Sequence, residues 1–294
     1  PRRKVWYRQA QGFRVLKGAI YVSVRSPLVS ATASQRAAAS LYARIVSDAL
    51  NEYTYPALLA GLGFDFYRHK QGLGLRVSGY NDKQLKLLED LLDAIAAQRF
   101  QPARFERIRR EMVLELENTV ARRPSSQLMD ELRRAIQDGE YSEAALIDAL
   151  EAMDVEALAS YRSDFWASVR AEAMVYGNHP PQQAGAVGGL LGRVLGSGAG
   201  QPARAPSVLD LAAGESLQLE ADIDHDDAVV AWYLQGDSTA LRDRALVALT
   251  AQVIQSGFFQ QLRTEQQLGY IVSSFAWPQY DVPGLLLLIQ DRKS

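Results

Sequence analysis

Cysteine is absent from the 294 residues, which excludes disulfides, thiol nucleophiles and thiolate metal sites. That composition suits the cytosol and a bacterial periplasm equally, so the compartment stays open between the two. Histidine is nearly as scarce. His69, His179 and His225 are the three, far apart and in neither H-x-x-x-H nor H-x-x-E-H spacing. A hydrolytic zinc site needs three protein ligands and an open position, so no metal site is expected in this chain and these are read as loop and surface histidines. Long apolar runs are missing too; Leu285–Ile289 is far too short to span a bilayer. The start, "PRRKVWYRQA", is positive but has no apolar segment behind it, so no signal peptide is visible. The net charge of -2 and the lack of any basic run argue against nucleic-acid or membrane partners. Phosphate-loop and G-x-S-x-G motifs do not occur. The pairs Gly61/Gly63 and Gly72/Gly74 fail the dinucleotide fingerprint, because Phe66 and Val77 stand where its third glycine belongs.

What is present is an ordinary globular balance, 48% hydrophobic and 22% charged. "GAIYVSVRSP" (Gly18–Pro27) reads as a strand stopped by proline, followed by an Ala-rich helix from about Ser34 to Asn51. A hairpin follows, with strands from Phe64 and from Leu73 to Ser78 around a turn at Gln71 and Gly72. "NDKQLKLLEDLLDAIAAQ" predicts a helix capped by Asn81 or Asp82. Pro102–Phe165 stays helical, with breaks near Pro124 and Gly139, then Ala171–Tyr176 reads as a strand and Gln182–Leu195 as a weak helix. After the Gly/Ala/Pro-rich "GSGAGQPARAPS" the first pattern returns: strand, polar joint, helix, hairpin. Leu268-Gly269-Tyr270 stands where Leu62-Gly63-Phe64 stood, about 206 positions earlier. The pattern is an internal duplication of a domain-sized unit. The expected fold is therefore α+β, duplicated two-layer sandwich domains, each a mostly antiparallel sheet with helices on one face. The expected division is a complete domain over 1–195, a linker over 196–206 and a truncated copy over 207–294. The chain begins without Met and stops soon after the second hairpin, so it is read as a piece of a longer protein.

Most polar clusters invite a plain reading. "IDHDDAV" (Ile223–Val229) is acidic but reads as the solvated approach to a strand. Glu111, Glu115 and Glu117 lie beside arginines on amphipathic helices and read as ion-paired surface. The stretch "LRTEQQLGYIVSSF" (Leu262–Phe275) differs. Arg263 and Tyr270 flank a tight helix-to-strand joint, where a guanidinium and a phenol can donate to a peptide carbonyl or a developing oxyanion. A helix cap and a buried hydroxyl are the equally open structural reading. The first copy has Phe64 in place of Tyr270 and no arginine in Ala57–Leu59.

At this stretch the chain resembles the pitrilysin and insulin-degrading-enzyme family of inverted-zincin metallopeptidases. "SDALNEYTYPALLAGLGFDFYRHKQGLGLRVSGYNDKQ" (Ser47–Gln84) is similar to that family's third repeated domain, and the resemblance runs from about Val5 to Gln290. It implies four related α+β domains in two bowl-shaped halves enclosing a chamber for short unfolded peptides. It implies further that the zinc motif H-x-x-E-H lies in the N-terminal half, so this chain carries no cofactor, its partners are a peptide substrate and that half, and alone it is inactive. Arg263 and Tyr270 match the family's substrate-contacting pair. Gln267, Leu268 and Gly269 complete the R-x-x-x-Q-L-G-Y motif. The mechanism implied is metal-activated water attacking a peptide carbonyl, with Arg263 and Tyr270 holding substrate and oxyanion. A parent that is a non-catalytic partner subunit, or a peptide-binding module of the same fold, is the alternative.

Overall fold

The computed structural model describes residues 2–13, 15–196, 200–223 and 225–292. It forms two compact units, Pro1–Leu116 with Glu143–Ala205, and Glu117–Ser142 with Pro206–Ser294. The segment Glu117–Ser142 thus clusters with the second unit although it lies within 1–195. Residues 197–199 of the expected linker lie outside the described residues.

The first unit is built on five strands. They are β1 (Arg3–Gln9), β2 (Lys17–Arg25), β3 (Leu62–His69), β4 (Gly72–Tyr80) and β5 (Arg170–Gly177), in the order β1-β5-β2-β4-β3. Every pairing is antiparallel except β1 with β5. Alternation decides the faces: Ile20, Val22, Val24, Leu73, Leu75, Val77, Ala171, Ala173 and Val175 are all buried on one side. The helix α1 (Ala33–Leu59) lies against β3 on this side, starting at Thr32, whose side chain accepts from the Gln35 amide. Ala37, Ala38 and Ala39 bury with Leu41, Tyr42 and Ile45. Their small side chains let the helix approach the sheet closely. Burial pushes the Tyr42 phenol up to about 12, and its oxygen accepts from Trp166 Nε1 at 2.9 Å.

α1 runs eight residues past its predicted end, through Pro56. Proline there removes one intrahelical donor and crowds the carbonyl four residues earlier, and the helix stops within one turn of it. The helices α2 (Gln84–Ala97) and α3 (Pro102–Glu117) follow. The predicted cap of α2 is corrected: Lys83 occupies the cap position without a side-chain bond. Asn81 instead donates to the Asn178 carbonyl, and buried Gln84 donates to the carbonyls of Gly18 at 2.7 Å and Gly79 at 2.8 Å. After α4 (Pro124–Ile136), which belongs to the second unit, α5 (Glu143–Glu151), α6 (Val155–Ser168) and α7 (Pro181–Leu195) complete the first.

The second unit holds β6 (Asp227–Gln235), α8 (Leu241–Phe259), β7 (Ile271–Ala276) and β8 (Gly284–Arg292), with strand order β6-β8-β7, all antiparallel. This reproduces the order β2-β4-β3 of the first unit, with a helix between the first strand and the hairpin in both. α8 lies against β7, and α4 against β6 and β8. Leu286, Leu288 and Gln290 form a buried row on β8, whereas Val230, Trp232 and Leu234 on β6 are exposed. Among the described residues no helix is long and apolar enough to cross a membrane.

Candidate functional site

The joint between α8 and β7 is tighter than a helix end followed by a turn. From Gln260 to Glu265 the backbone widens into a π-helical segment, with the Gln266 amide on the Gln261 carbonyl at 3.0 Å. Short π segments inside α-helices frequently mark functional places. The Leu268 amide then returns to the Leu262 carbonyl at 2.9 Å. Between them Gln267 sits at φ 54°, in the left-handed region. Gly61, its counterpart in the first repeat, also has positive φ, 77°. The first copy thus uses glycine where the second keeps a long polar side chain at a conformational cost of roughly 1–2 kcal/mol.

Gly269 is required for a different reason. A Cβ there would stand 2.6 Å from the Gln290 carbonyl oxygen, so the chain can pass close enough to β8 only without one. That approach lets the Tyr270 amide bond the same carbonyl at 3.0 Å, which fixes where the tyrosine leaves the backbone. Its ring is 45% exposed. The hydroxyl donates to Asp227 Oδ2, and Gln290 Nε2 donates both to that oxygen at 2.9 Å and to the phenol oxygen at 2.5 Å. Gln290 is wholly buried, and its side-chain Oε1 accepts the Ser125 amide at 3.1 Å, in the first turn of α4. The Asp227 side chain is 8% exposed, and its backbone amide donates to His225 Nδ1 at 2.9 Å. The hydrogen bond to Asp227 raises the Tyr270 pKa above the usual phenol value, aided by partial desolvation and the Asp227 charge; Gln290 and the Arg123 charge pull the other way.

Of the sequence-predicted residues, Gly269 and Tyr270 meet β8 directly and Gln267 holds the turn before them. Arg263 lies half-buried in the π segment, and among the described residues its guanidinium makes no hydrogen bond or ion pair. Leu268 is exposed. Asp227 belongs to the acidic stretch Ile223–Val229 that reads as a solvated approach, and this is corrected: it opens β6 with its side chain nearly buried. Gln290 was not singled out; its one signal is a polar residue continuing the buried face of "LLLLIQ", two positions after Leu288.

The other polar groups find local partners. Glu115 pairs with Arg44 at 2.5 Å, which lowers its pKa, and Glu111 pairs with Arg107 at 3.0 Å. His69 Nδ1 accepts the Gln71 amide at 3.3 Å, so its proton is on Nε2, 2.9 Å from Ser23 Oγ. That tautomer donates to the serine and cannot take its proton. The surface reading of His179 is corrected: it is wholly buried, its Nδ1 against Gln183 Oε1, while its Nε2 has no hydrogen-bond partner among the described residues. Among the described residues no three His, Cys, Asp or Glu side chains form a group able to hold a metal ion, so the donor set of a hydrolytic zinc site does not fit these residues.

Comparison with known proteins agrees with this architecture. Residues 1–149 match the family model for the middle or third domain of peptidase M16. Residues 249–294 match that of the C-terminal lobe domain 4 of PQQ synthase PqqF-like proteins. The chain is 28% identical to the insulin-degrading enzyme of Homo sapiens over 299 residues, covering 99% of this chain and 29% of that protein. Against the A-factor-processing enzyme of Saccharomyces cerevisiae it is 27% identical, covering 98% and 29%. It therefore spans less than a third of the length of these relatives. The crystal structure of pitrilysin superposes with a TM-score of 0.88 at 20% identity, over 99% of this chain and 31% of that one. A structure from Pseudomonas fluorescens, described as a peptidase M16 inactive domain, superposes at 0.67 with 14% identity, over 98% and 72%. With the middle-domain match running over half its length, the chain belongs to the M16 peptidase family.

Proposed function

We propose that this chain is the substrate-facing, non-metal-binding part of a zinc metalloendopeptidase that encloses short unfolded peptides. In this reading 1–195 is a third-type domain, 196–206 a linker and 207–294 part of a fourth-type domain, while zinc and the general base come from an N-terminal half. The shared strand and helix order of the two units supports the reading, as does the domain 4 match over residues 249–294.

One observation carries it. Tyr270 presents a hydroxyl at an exposed position, yet that hydroxyl is oriented by a buried amide and a nearly buried carboxylate. A hydroxyl needed only for folding would be buried with its partners. Here the phenol donates a hydrogen bond to Asp227 and accepts one from Gln290, so its hydroxyl is held in place at an exposed position. A peptide carbonyl that displaces Asp227 as acceptor receives the same proton, and negative charge developing on that oxygen strengthens the bond. Arg263, with no internal partner among the described residues, is the second donor, and Gln267 lies between them at its strained position. Zinc, when supplied by the other half, provides the activated water; these residues bind and orient the carbonyl.

The test uses the protein joined to its N-terminal half. Tyr270→Phe should lower kcat for a short peptide by about tenfold or more, with the fold intact. An unchanged kcat removes the oxyanion role. The isolated chain should cleave nothing. The other reading, a non-catalytic partner of the same fold, is supported instead if the N-terminal half lacks H-x-x-E-H.

A further inference from the structure

The five-stranded sheet buries one face under its helices and leaves the other bare. On that open face the register sets Trp6, Met174, Tyr21, Arg76 and Asp65 in one row across all five strands. Tyr176 lies one row away from this row on one side and Tyr67 one row away on the other; both are 44–46% exposed. The centre is therefore apolar and aromatic, and its rim is cationic.

The charges on this face do not balance. Its two acids are each matched by an arginine: Asp65 with Arg76 at 3.6 Å and Glu172 with Arg25 at 3.0 Å. Lys4, Arg8 and Lys17 are exposed and, among the described residues, have no ion-pair partner. Among the described residues Arg170 reaches only the Gly200 carbonyl. Four unmatched cations thus surround an exposed aromatic patch on a protein whose net charge is -2. A patch of this kind is rarely left open without use.

We propose that the open face of this sheet binds acidic, partly apolar peptide segments, their carboxylates on Lys4, Arg8, Lys17 and Arg170 and their apolar side chains against Met174 and Tyr176. The proposal rests on the peptide-handling reading above and names the substrate class. Single-stranded nucleic acid also favours aromatic and cationic sheets, because bases stack on bare rings. Here every ring of the face but Tyr176 is already covered. Lys4 Nζ sits 3.7 Å over the Trp6 ring, Lys17 lies over Tyr80, Arg76 lies over Tyr21 at 5.7 Å, and the Tyr67 ring lies across Gly74. The groups presented outward are cations backed by rings, which suit carboxylates rather than stacked bases.

The experiment is a fluorescence-anisotropy titration of the 294-residue chain with a labelled peptide alternating Glu with Leu and Phe. A peptide of about eight residues is long enough, at ~3.3 Å per residue, to cross five strands spaced ~4.8 Å apart. The acidic peptide should bind, and more weakly as salt rises from low to physiological ionic strength. Its counterpart with Gln for every Glu should bind at least about tenfold more weakly, because several screened charge contacts are lost together. The combined variant Lys4→Gln, Arg8→Gln, Lys17→Gln should lose the acidic peptide to a similar extent, with an unchanged far-ultraviolet circular dichroism spectrum. Equal binding of the neutral peptide by the unaltered chain overturns the proposal without recourse to any variant. Tighter binding of a single-stranded oligonucleotide of the same charge overturns it as well. The control variant Lys86→Gln, Arg107→Gln, Arg110→Gln removes the same charge from exposed positions on α2 and α3 and should leave this binding unchanged; an equal loss there would assign the binding to net charge and not to this sheet.

Discussion

Replacing Gln290 by leucine tests whether the polar cluster under Tyr270 is part of the fold or an ornament on it. Leucine is close in size, and Leu286 and Leu288 already occupy the same face of β8, so little steric penalty is expected. What is lost is the amide, which accepts the Ser125 amide at 3.1 Å and donates to Asp227 at 2.9 Å and to Tyr270 at 2.5 Å. The bond to a carboxylate accounts for roughly 1.5–3 kcal/mol and the neutral ones for about 1 each, less the hydration that the partly exposed Tyr270 regains. The Ser125 amide, in the first turn of α4, is left buried without an acceptor. A loss of about 2–4 kcal/mol follows. Urea unfolding read from Trp232 and Trp277, with Trp6 and Trp166 changed to Phe, isolates the second unit. With a slope of ~1–3 kcal/mol/M, the midpoint should fall by about 1–2 M. A fall of less than about 0.3 M would refute the network and with it the claim that Tyr270 is oriented from beneath. Tyr270→Phe, which strips only an exposed hydroxyl, should move the midpoint far less.

Gln267→Gly relieves the left-handed strain and should raise the second unit's stability by up to ~1 kcal/mol, part of the gain being offset by the freer unfolded chain. In the enzyme joined to its other half the same change should raise KM, and a lower midpoint would show that the side chain is needed for the fold. Gly269→Ala should destabilise the same unit by about 1–3 kcal/mol, because the new methyl meets the Gln290 carbonyl; a neutral midpoint would mean that β7 can move away from β8. Burial holds the pKa of His179, and likewise of His69, below the ordinary histidine value. A depressed native pKa keeps the ring neutral, so its contribution is whole above pH ~6.5 and is lost as pH falls toward and through the native value. His179→Gln should flatten the decline of first-unit stability below that pH, and an undiminished slope would assign the decline to other groups.

Much of this fold was legible because its signals are local. Alternation located β2, β4 and β5, the glycine pairs marked turns, and the repeated Leu-Gly-aromatic joint revealed the duplication. β1 escaped because its outward positions, Lys4, Trp6 and Arg8, carry large exposed side chains, so its sequence reads as a charged tail. The π segment escaped because helical periodicity does not register one widened turn. The candidate site was half legible. Arg263 and Tyr270 share one short motif, but Asp227 is 43 residues from Tyr270 and Gln290 is 20. Only the antiparallel pairings of β6 and β7 with β8 bring the three together.

The parallel pairing of β1 with β5 has a consequence for biosynthesis. Arg3 finds its partner at Ala171, so the sheet of the first unit keeps an open edge until Ala171, 168 positions after Arg3, has left the ribosome. Within that interval Glu117–Ser142 also emerges, and its partners in the second unit come later still. Neither unit can therefore fold to completion before the other has begun to appear. Such long-range closure slows assembly and prolongs the exposure of unpaired strands, so synthesis speed and chaperone access should govern the yield of this chain more than its final stability does.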